Sequence, residues 1–294
     1  MIYYITMQIK QIVPFWILGL MTGAVISAYR ERLMCNIPHE ALGKMNVLLK
    51  CFLATLIGAL SPITMYGMLP ILAVLARFKA RQSVITSFTI TSILINPNVF
   101  IFSFSLGMGI AILRLFLSIL AGVAAGVLVE ILYKGKSIYD MSGFAASAAE
   151  GRQQRKAIAA VIANFKRAVL RTAPNLALGI VLAALFELYF PMDLFSRIFG
   201  HGNGLGVLFA ASLGVTAYYC GGGTIPLILA WMNEGMSLGS VMAFMLTGPA
   251  TKLTNLSAVK TIMPVKSFSC YLIFSIAFGI AAGLTIDIIN SFMG

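Results

Sequence analysis

The sequence predicts an all-α integral membrane protein made of two inverted-topology repeats, each with about three spans plus a re-entrant helical hairpin. Three observations lead there. The first is composition: 60% of the 294 residues are hydrophobic and only 10% charged, against about 25% charged in a soluble domain. The second is segment length. Long apolar stretches alternate with short polar ones, as helices of about 20 residues require. The alternating ten-residue pattern of a transmembrane barrel is absent.

The third observation is an internal repeat. "VPFWILGLMTGAVISAY" (Val13 to Tyr29) matches "APNLALGIVLAALFELY" (Ala173 to Tyr189), sharing Pro14/Pro174, Gly19/Gly179 and Tyr29/Tyr189. "GMLPILAVLARFK" (Gly67 to Lys79) aligns without a gap to "GTIPLILAWMNEG" (Gly223 to Gly235). "GVAAGVLVEIL" (Gly122 to Leu132) matches "GIAAGLTIDII" (Gly279 to Ile289), with Glu130 opposite Asp287. The offsets are 160, 156 and 157 residues, which one small loop difference reconciles.

Charge supplies orientation. The formal net charge is +12, and it is concentrated in two places. One is "RFKAR", Arg77 to Arg81. The other runs from Lys134 to Arg171, where Lys136, Arg152, Arg155, Lys156, Lys166 and Arg167 outnumber Asp140 and Glu150. Basic loops between spans mark the cytoplasmic side, so topology accounts for the charge and nucleic acid is not expected as a partner. The counterpart of the first cluster, "NEGMS" (Asn233 to Ser237), carries only Glu234. If one turn is inside and the other outside, the halves insert in opposite senses, a common transporter plan. Residues 1–133 then form the first membrane repeat and residues 172–294 the second. Between them, 134–171 is a basic cytoplasmic loop, with an amphipathic helix over Glu150–Arg171 lying on the membrane surface. The N-terminus lacks a signal-peptide pattern, so the first span is expected to be retained.

The expected spans are Val13–Tyr29, Ser83–Leu106 and Ile110–Leu132, then Pro174–Phe190, Leu238–Ile262 and Phe268–Ile289. Val47–Ala76 and Leu205–Met232 remain, each about 30 residues with a Gly/Pro interruption, too short for two full crossings. They read as re-entrant hairpins meeting near the midplane, or else as single long kinked helices.

Four interruptions fall at paired positions: "TMYGMLP" (Thr64 to Pro70), "INPNV" (Ile95 to Val99), "CGGGTIP" (Cys220 to Pro226) and "TGPATKLTN" (Thr247 to Asn255). Unwound backbone inside a membrane must be buried in protein or line a polar cavity, where freed carbonyls and half-helix ends can hold a polar solute. The candidate substrate-binding residues are therefore Thr64, Tyr66, Gly67, Pro70, Asn96, Pro97 and Asn98 in the first half. In the second they are Cys220, Gly221, Gly222, Gly223, Thr224, Pro226, Gly248, Pro249, Thr251, Lys252 and Asn255. Pro70 and Pro226 suit the first turn of a half-helix, where the missing N–H is no loss. Lys252 stands out, because an intramembrane lysine marks a functional site by default. Against that, it can snorkel to the interface along its stem. Arg114, a few residues inside its span, reads as snorkelling, and Glu130, Glu187 and Asp287 read as interfacial.

Cys35, Cys51, Cys220 and Cys270 form no CxxC pair and no zinc spacing, so no metal or cofactor is expected. GxSxG, HExxH and Walker A motifs are absent, which argues against an enzyme and against ATP as a direct fuel.

At its interruptions the chain resembles the predicted bacterial permease family that includes the organoarsenical permeases. Members have a C-x-C-G-x-x-P interruption in the first half and C-x-x-x-x-x-P in the second, followed by spans containing S-P-x-I-N-P or A-G-P-A-T. Here these are "TMYGMLP", "SILINPNV", "CGGGTIP" and "LTGPAT", and the opening "PFWILG" is also similar. Thr64 and Tyr66 stand where both cysteines of the first motif would be, and Ile93 replaces the proline of the S-P pair. The resemblance implies a multi-pass permease of the cell inner membrane that exports a small solute, such as a trivalent organoarsenical, another metalloid or an anion. With Cys220 the one thiol at a matching position, the substrate stays open. A non-transporting scaffold or complex subunit, or a channel, is the alternative, and a homo-oligomer is compatible with either.

Overall fold

The computed structural model describes residues 45–60, 80–95, 103–133, 137–140, 206–217, 224–233 and 235–293, with single positions between 3 and 25, between 68 and 76, at 100 and between 159 and 181. The described residues are helical apart from short turns, and no strand occurs among them. In chain order the elements are α1 (Val47–Leu60), α2 (Gln82–Leu94), a 3-10 turn (Phe104–Leu106) and α3 (Met108–Tyr133). There follow α4 (Gly206–Ala217), α5 (Thr224–Asn233), α6 (Leu238–Thr251), α7 (Leu253–Ile262) and α8 (Val265–Met293).

Two of these helices are long and apolar enough to span a bilayer: α3, with mean hydropathy 2.4, and α8, with 2.2 over Val265–Phe292. At 1.5 Å per residue α3 reaches about 39 Å, more than the ~30 Å hydrocarbon core, whereas the 14 residues of α1 reach about 21 Å. The outer faces are apolar. Met108, Ile112, Phe116 and Leu120 follow at four-residue spacing along α3 and are exposed, as are Leu49, Leu53 and Ile57 on α1 and Ile273, Leu284 and Ile288 on α8. Exposed apolar surface this continuous is the mark of a lipid-facing protein.

At the centre lie α2 and α6. Every residue of α2 from Ile85 to Leu94 is buried, and so is every residue of α6 from Gly239 to Thr251. A helix buried on all sides belongs in the middle of a bundle. Each is flanked in the same way: α1 and α3 pack on α2 and on each other, and α4 and α8 do likewise around α6. The two groups meet where α6 touches α2 and α3, and where α8 touches α3.

Glycines that align in the sequence make similar close contacts. Gly122 and Gly126 of α3 lie flush against α2, since a Cβ on Gly126 would stand 2.8 Å from the Ser83 carbonyl oxygen and would overlap Ser87 Oγ. Their counterparts, Gly279 and Gly283 of α8, lie flush against Thr247 and Gly239 of α6. A small residue every fourth position lets backbones approach closely, which drives helix association where lipid removes the hydrophobic incentive.

The paired carboxylates are more than interfacial residues. Glu130, near the end of α3, accepts hydrogen bonds from Ser83 Oγ (2.6 Å) and Arg81 Nη1 (2.9 Å) at the start of α2. Asp287 of α8 accepts from Ser237 Oγ (2.7 Å) and from the Gly239 N–H (2.7 Å) at the start of α6. Ser237 itself caps α6, accepting from the Ser240 N–H at 3.1 Å. Carboxylates suit helix N-termini because they satisfy orphan donors and the positive end of the helix dipole.

The start of the central loop is partly interior. Ile138 and Tyr139 are buried. The Ile138 N–H donates to Gln82 Oε1 (3.3 Å), the Tyr139 hydroxyl to Thr86 Oγ1 (3.0 Å), and the Asp140 N–H to the Ile262 carbonyl (2.7 Å). Burial pushes the Tyr139 phenol up to about 12, so it stays protonated as a donor. Farther along, the described positions from 159 to 170 are helical, within the stretch expected to form an amphipathic helix.

Candidate functional site

The site grows out of how α2 and α6 end. A helix leaves its last four carbonyls without intrahelical donors, and deep in a lipid-embedded bundle water cannot supply them. At the end of α6, the Lys252 N–H still bonds the Gly248 carbonyl (2.9 Å), and then the chain turns extended at Lys252 (φ −52°, ψ 134°). The next two carbonyls are taken by side chains. Asn255 Nδ2 donates to the Pro249 carbonyl at 2.6 Å, and the Tyr271 hydroxyl of α8 donates to the Ala250 carbonyl at 2.6 Å. After Lys252 the helix restarts as α7, whose Leu256 N–H bonds the Lys252 carbonyl at 2.8 Å.

The first half uses the same device. α2 ends at Leu94, and the guanidinium of Arg114 on α3 reaches across: Nη2 donates to the Leu94 carbonyl (3.1 Å) and Nη1 to Ser103 Oγ (2.6 Å). Arg114 and Tyr271 occupy equivalent positions of α3 and α8, separated by the repeat offset of 157, as are Glu130 and Asp287. Each third helix therefore sends one polar side chain to close the end of its central helix.

Both ends face one cleft. Leu94 and Ala250 line it together with Ile90, Leu246, Tyr271, Phe274 and Ser275. Its interior holds about 10 Å³, room for at most one water. A larger cavity of about 50 Å³ adjoins it through the shared residues Ile90, Tyr271 and Phe274, and is bounded by Tyr133, Tyr139, Ser267 and Cys270.

Of the residues singled out from sequence, Gly248, Pro249, Thr251, Lys252 and Asn255 come together around this helix end, all but part-buried Asn255 fully buried. Three details sharpen the expectation. Gly248 and Pro249 do not interrupt the helix: α6 continues through them to Thr251, and the extended residue is Lys252. Thr251 turns its hydroxyl back onto the Thr247 carbonyl (2.6 Å), and Asn255 spends its amide on Pro249, so those groups stabilise the helix end. Lys252 is only 5% exposed, so its side chain is held in the bundle and does not snorkel. Thr224 and Pro226 fall in the first turn of α5, where a proline is tolerated. Thr64, Tyr66, Gly67, Pro70, Asn96, Pro97, Asn98, Cys220, Gly221, Gly222 and Gly223 lie outside the described residues, as do the hairpin tips.

Sequence reasoning missed Arg114 and Tyr271. Arg114 is fully buried, not snorkelling. Its face was the available signal: Arg114 shares a stripe with the small residues Ala111, Ser118, Ala121, Gly122 and Ala125, all buried, and opposite the exposed Met108–Leu120 row. An intramembrane Arg or Lys costs at least ~2.5–3.5 kcal/mol at mid-bilayer, so such residues face bundle interiors and mark solute or ion paths.

A bundle with an apolar outer face, and with helix ends closed by polar side chains at its centre, is the architecture of a multi-pass membrane protein. The chain belongs to the predicted-permease family ArsP_1, whose profile matches residues 2–288. It is also similar to the UPF0718 protein YcgR of Bacillus subtilis (strain 168), with 28% identity over 110 residues. That match spans 37% of this chain and 34% of YcgR, about a third of the relative's length. No solved structure matches the chain. Family membership places the chain among the predicted permeases.

Proposed function

We propose that this permease is a secondary-active exporter of the bacterial inner membrane, working by alternating access around the cleft between the ends of α2 and α6. In this reading the two halves are inserted in opposite senses, with the 134–171 loop cytoplasmic. The interruptions at Thr64–Pro70 and Cys220–Pro226 are the tips of two opposed hairpins that complete the site.

The observation that carries the reading is the convergence of the two central helix ends, Leu94 and Ala250, on one cleft. Helices interrupted at a repeat interface are where transporters place solute. Room for a single water means that the cleft is shut in this conformation, which favours a gated permease over an open channel. Solute would be admitted when the two ends separate, with Tyr271 and Arg114 keeping each end intact as it moves. Thr64, Tyr66, Asn96, Asn98, Cys220 and Thr224 would face the solute from the hairpin and α2 sides.

The test is transport by the purified chain in liposomes. Methylarsenite and a panel of small neutral and anionic solutes should be screened for movement down a gradient without ATP. At least one should move, and its flux should respond to an imposed proton or sodium gradient. No flux above empty liposomes for any of them, from protein that is folded and oriented, would return the chain to the scaffold class.

A further inference from the structure

Ser87 and Thr91 of α2 are both fully buried, and neither Ser87 Oγ nor Thr91 Oγ1 has a hydrogen-bond partner among the described residues. Other hydroxyls of the same helix turn back onto it. Thr86 donates to the Gln82 carbonyl (2.9 Å) and Thr89 to the Ile85 carbonyl (2.7 Å), an outlet that a helical serine or threonine always has four residues back. Ser87 and Thr91 point instead at α3, where a Cβ on Gly126 would overlap Ser87 Oγ and a Cβ on Gly122 would overlap Thr91 Oγ1. With Ser83, which donates to Glu130 at 2.6 Å, they form a row at four-residue spacing along one face of α2.

The second half shows that helix packing does not call for this row. Gly239, Ala243 and Thr247 of α6 align with Ser83, Ser87 and Thr91 at an offset of 156. They pack on Gly283 and Gly279 of α8 as the row packs on Gly126 and Gly122. Two of the three carry no hydroxyl. The third, Thr247, turns its methyl to Gly279 and its hydroxyl to the Ala243 carbonyl (2.8 Å). The same kind of contact is therefore made with every hydroxyl absent or satisfied. A buried hydroxyl without a partner carries its full desolvation cost, and such a group in a native fold calls for a reason, a visiting water or ion among them.

The row joins two places. At one end is Glu130, whose carboxylate pairs with exposed Arg81. At the other, Thr91 faces Gly122, whose neighbour Ala121 lines the cleft between the helix ends. From α1 the titratable groups at this level are Cys51, buried beside Gly126, and Lys50 before it. Ser83 to Thr91 covers about 12 Å of helix axis, and each turn about 5.4 Å. One turn equals two hydrogen bonds of about 2.7 Å, so a single water between successive hydroxyls completes a chain.

We propose that this seam is the proton exit of the exporter: protons that enter the cleft as solute leaves pass along the row to Glu130 and out at the end proposed above as cytoplasmic. The inference rests on the permease reading and names its coupling ion. Thr91, Ser87 and Ser83 each take a proton from the oxygen behind and give their own to the oxygen ahead, through the intervening waters. The Glu130 carboxylate receives the last one along the bond that Ser83 already makes, and releases it to water at the surface. Gly122 and Gly126 pack the row shut in this conformation, and water enters when α3 parts from α2.

Full-length protein in liposomes loaded with a pH-sensitive dye tests it. Methylarsenite, glycerol, sulfate and chloride are supplied in turn under an imposed proton gradient, and solute flux and luminal pH are recorded together. Solute movement should be accompanied by opposite proton movement. Ser87→Ala combined with Thr91→Val should cut that proton movement at least tenfold, and Glu130→Gln should do the same. The unfolding midpoint of the double variant should equal or exceed the parent's, because only hydroxyls without partners are removed; a lowered midpoint would assign them to packing and overturn the proposal. Thr89→Val, whose hydroxyl is spent on its own helix, should leave proton movement at the parent's level, and a loss there equal to the double variant's would also overturn it. Solute movement with no proton movement, or with proton movement unchanged in the double variant, would overturn the proposal and leave the permease reading standing. No movement of any solute would defeat both. If Glu130→Gln does not fold, the double variant carries the decision.

Discussion

Replacing Gly283 with alanine tests how α6 and α8 are held together. A Cβ on Gly283 would stand 2.6 Å from the Gly239 carbonyl oxygen, 2.7 Å from Val207 Cγ1 and 3.0 Å from Ala243 Cβ. The first of these is backbone and cannot rotate away. An ordinary C–O contact begins near ~3.3 Å, so α8 must retreat from α6 by roughly 0.7 Å over the most closely packed turn. Overpacking of that kind costs about 1–3 kcal/mol. Alanine returns up to ~1 kcal/mol through its better helix propensity. The retreat also stretches the bonds of Asp287, one turn on, to Gly239 and Ser237 (2.7 Å each), worth about 1 kcal/mol apiece. The net expectation is a loss of about 2 kcal/mol, or roughly 4–8 °C in the unfolding midpoint for a domain of this size class. Thermal unfolding of purified protein, followed by tryptophan fluorescence, measures it. Gly109→Ala is the matched control, because a Cβ there meets nothing within 4 Å, and it should be neutral or slightly stabilising. If Gly283→Ala were as stable as the parent, close glycine packing would not be what joins these helices.

Two further predictions concern stability. Tyr271→Phe leaves the buried Ala250 carbonyl without its donor and should cost about 1–3 kcal/mol, read as a lowered unfolding midpoint. A midpoint equal to the parent's would mean the hydroxyl does not close the α6 end. The two carboxylates should differ: Asp287→Ala removes an acceptor from a helix N-terminal N–H and should cost about 1–2 kcal/mol. Glu130→Ala breaks an ion pair whose partners are 53% and 33% exposed together with one hydroxyl bond from Ser83, and should cost about 0.5–1.5 kcal/mol. The opposite ranking would show that charge pairing, and not capping, secures these helix starts.

How much of this was legible can be judged residue by residue. The repeat offset read from "GVAAGVLVEIL" and "GIAAGLTIDII" places the packing glycines and the paired carboxylates, because those roles depend on small size and charge at fixed spacing, both visible in one dimension. The role of Arg114 was not legible from its distance to the span end alone. Whether a long cation snorkels depends on which way its helix face points, and that was encoded in the small residues around it and not in its depth. The residue within "TGPATKLTN" at which α6 ends was not legible for a related reason. Pro249 removes one N–H, yet the bundle tolerates that loss. Unwinding waits until Lys252, where Asn255 and Tyr271 are available to receive the freed carbonyls. Donors from a distant helix decide where a helix may stop, and no local motif records them.

The buried start of the central loop has a mechanical consequence. Ile138, Tyr139 and Asp140 lace the first turns of α2, in the first half, to the last carbonyl of α7, in the second. Parting the halves at that end means extracting two apolar side chains and breaking the bond between Asp140 and Ile262. Parting them elsewhere leaves this lacing whole. The start of the loop after α3 thus ties the beginning of α2 to the end of α7, and a Tyr139→Ala change should loosen that tie and lower the unfolding midpoint.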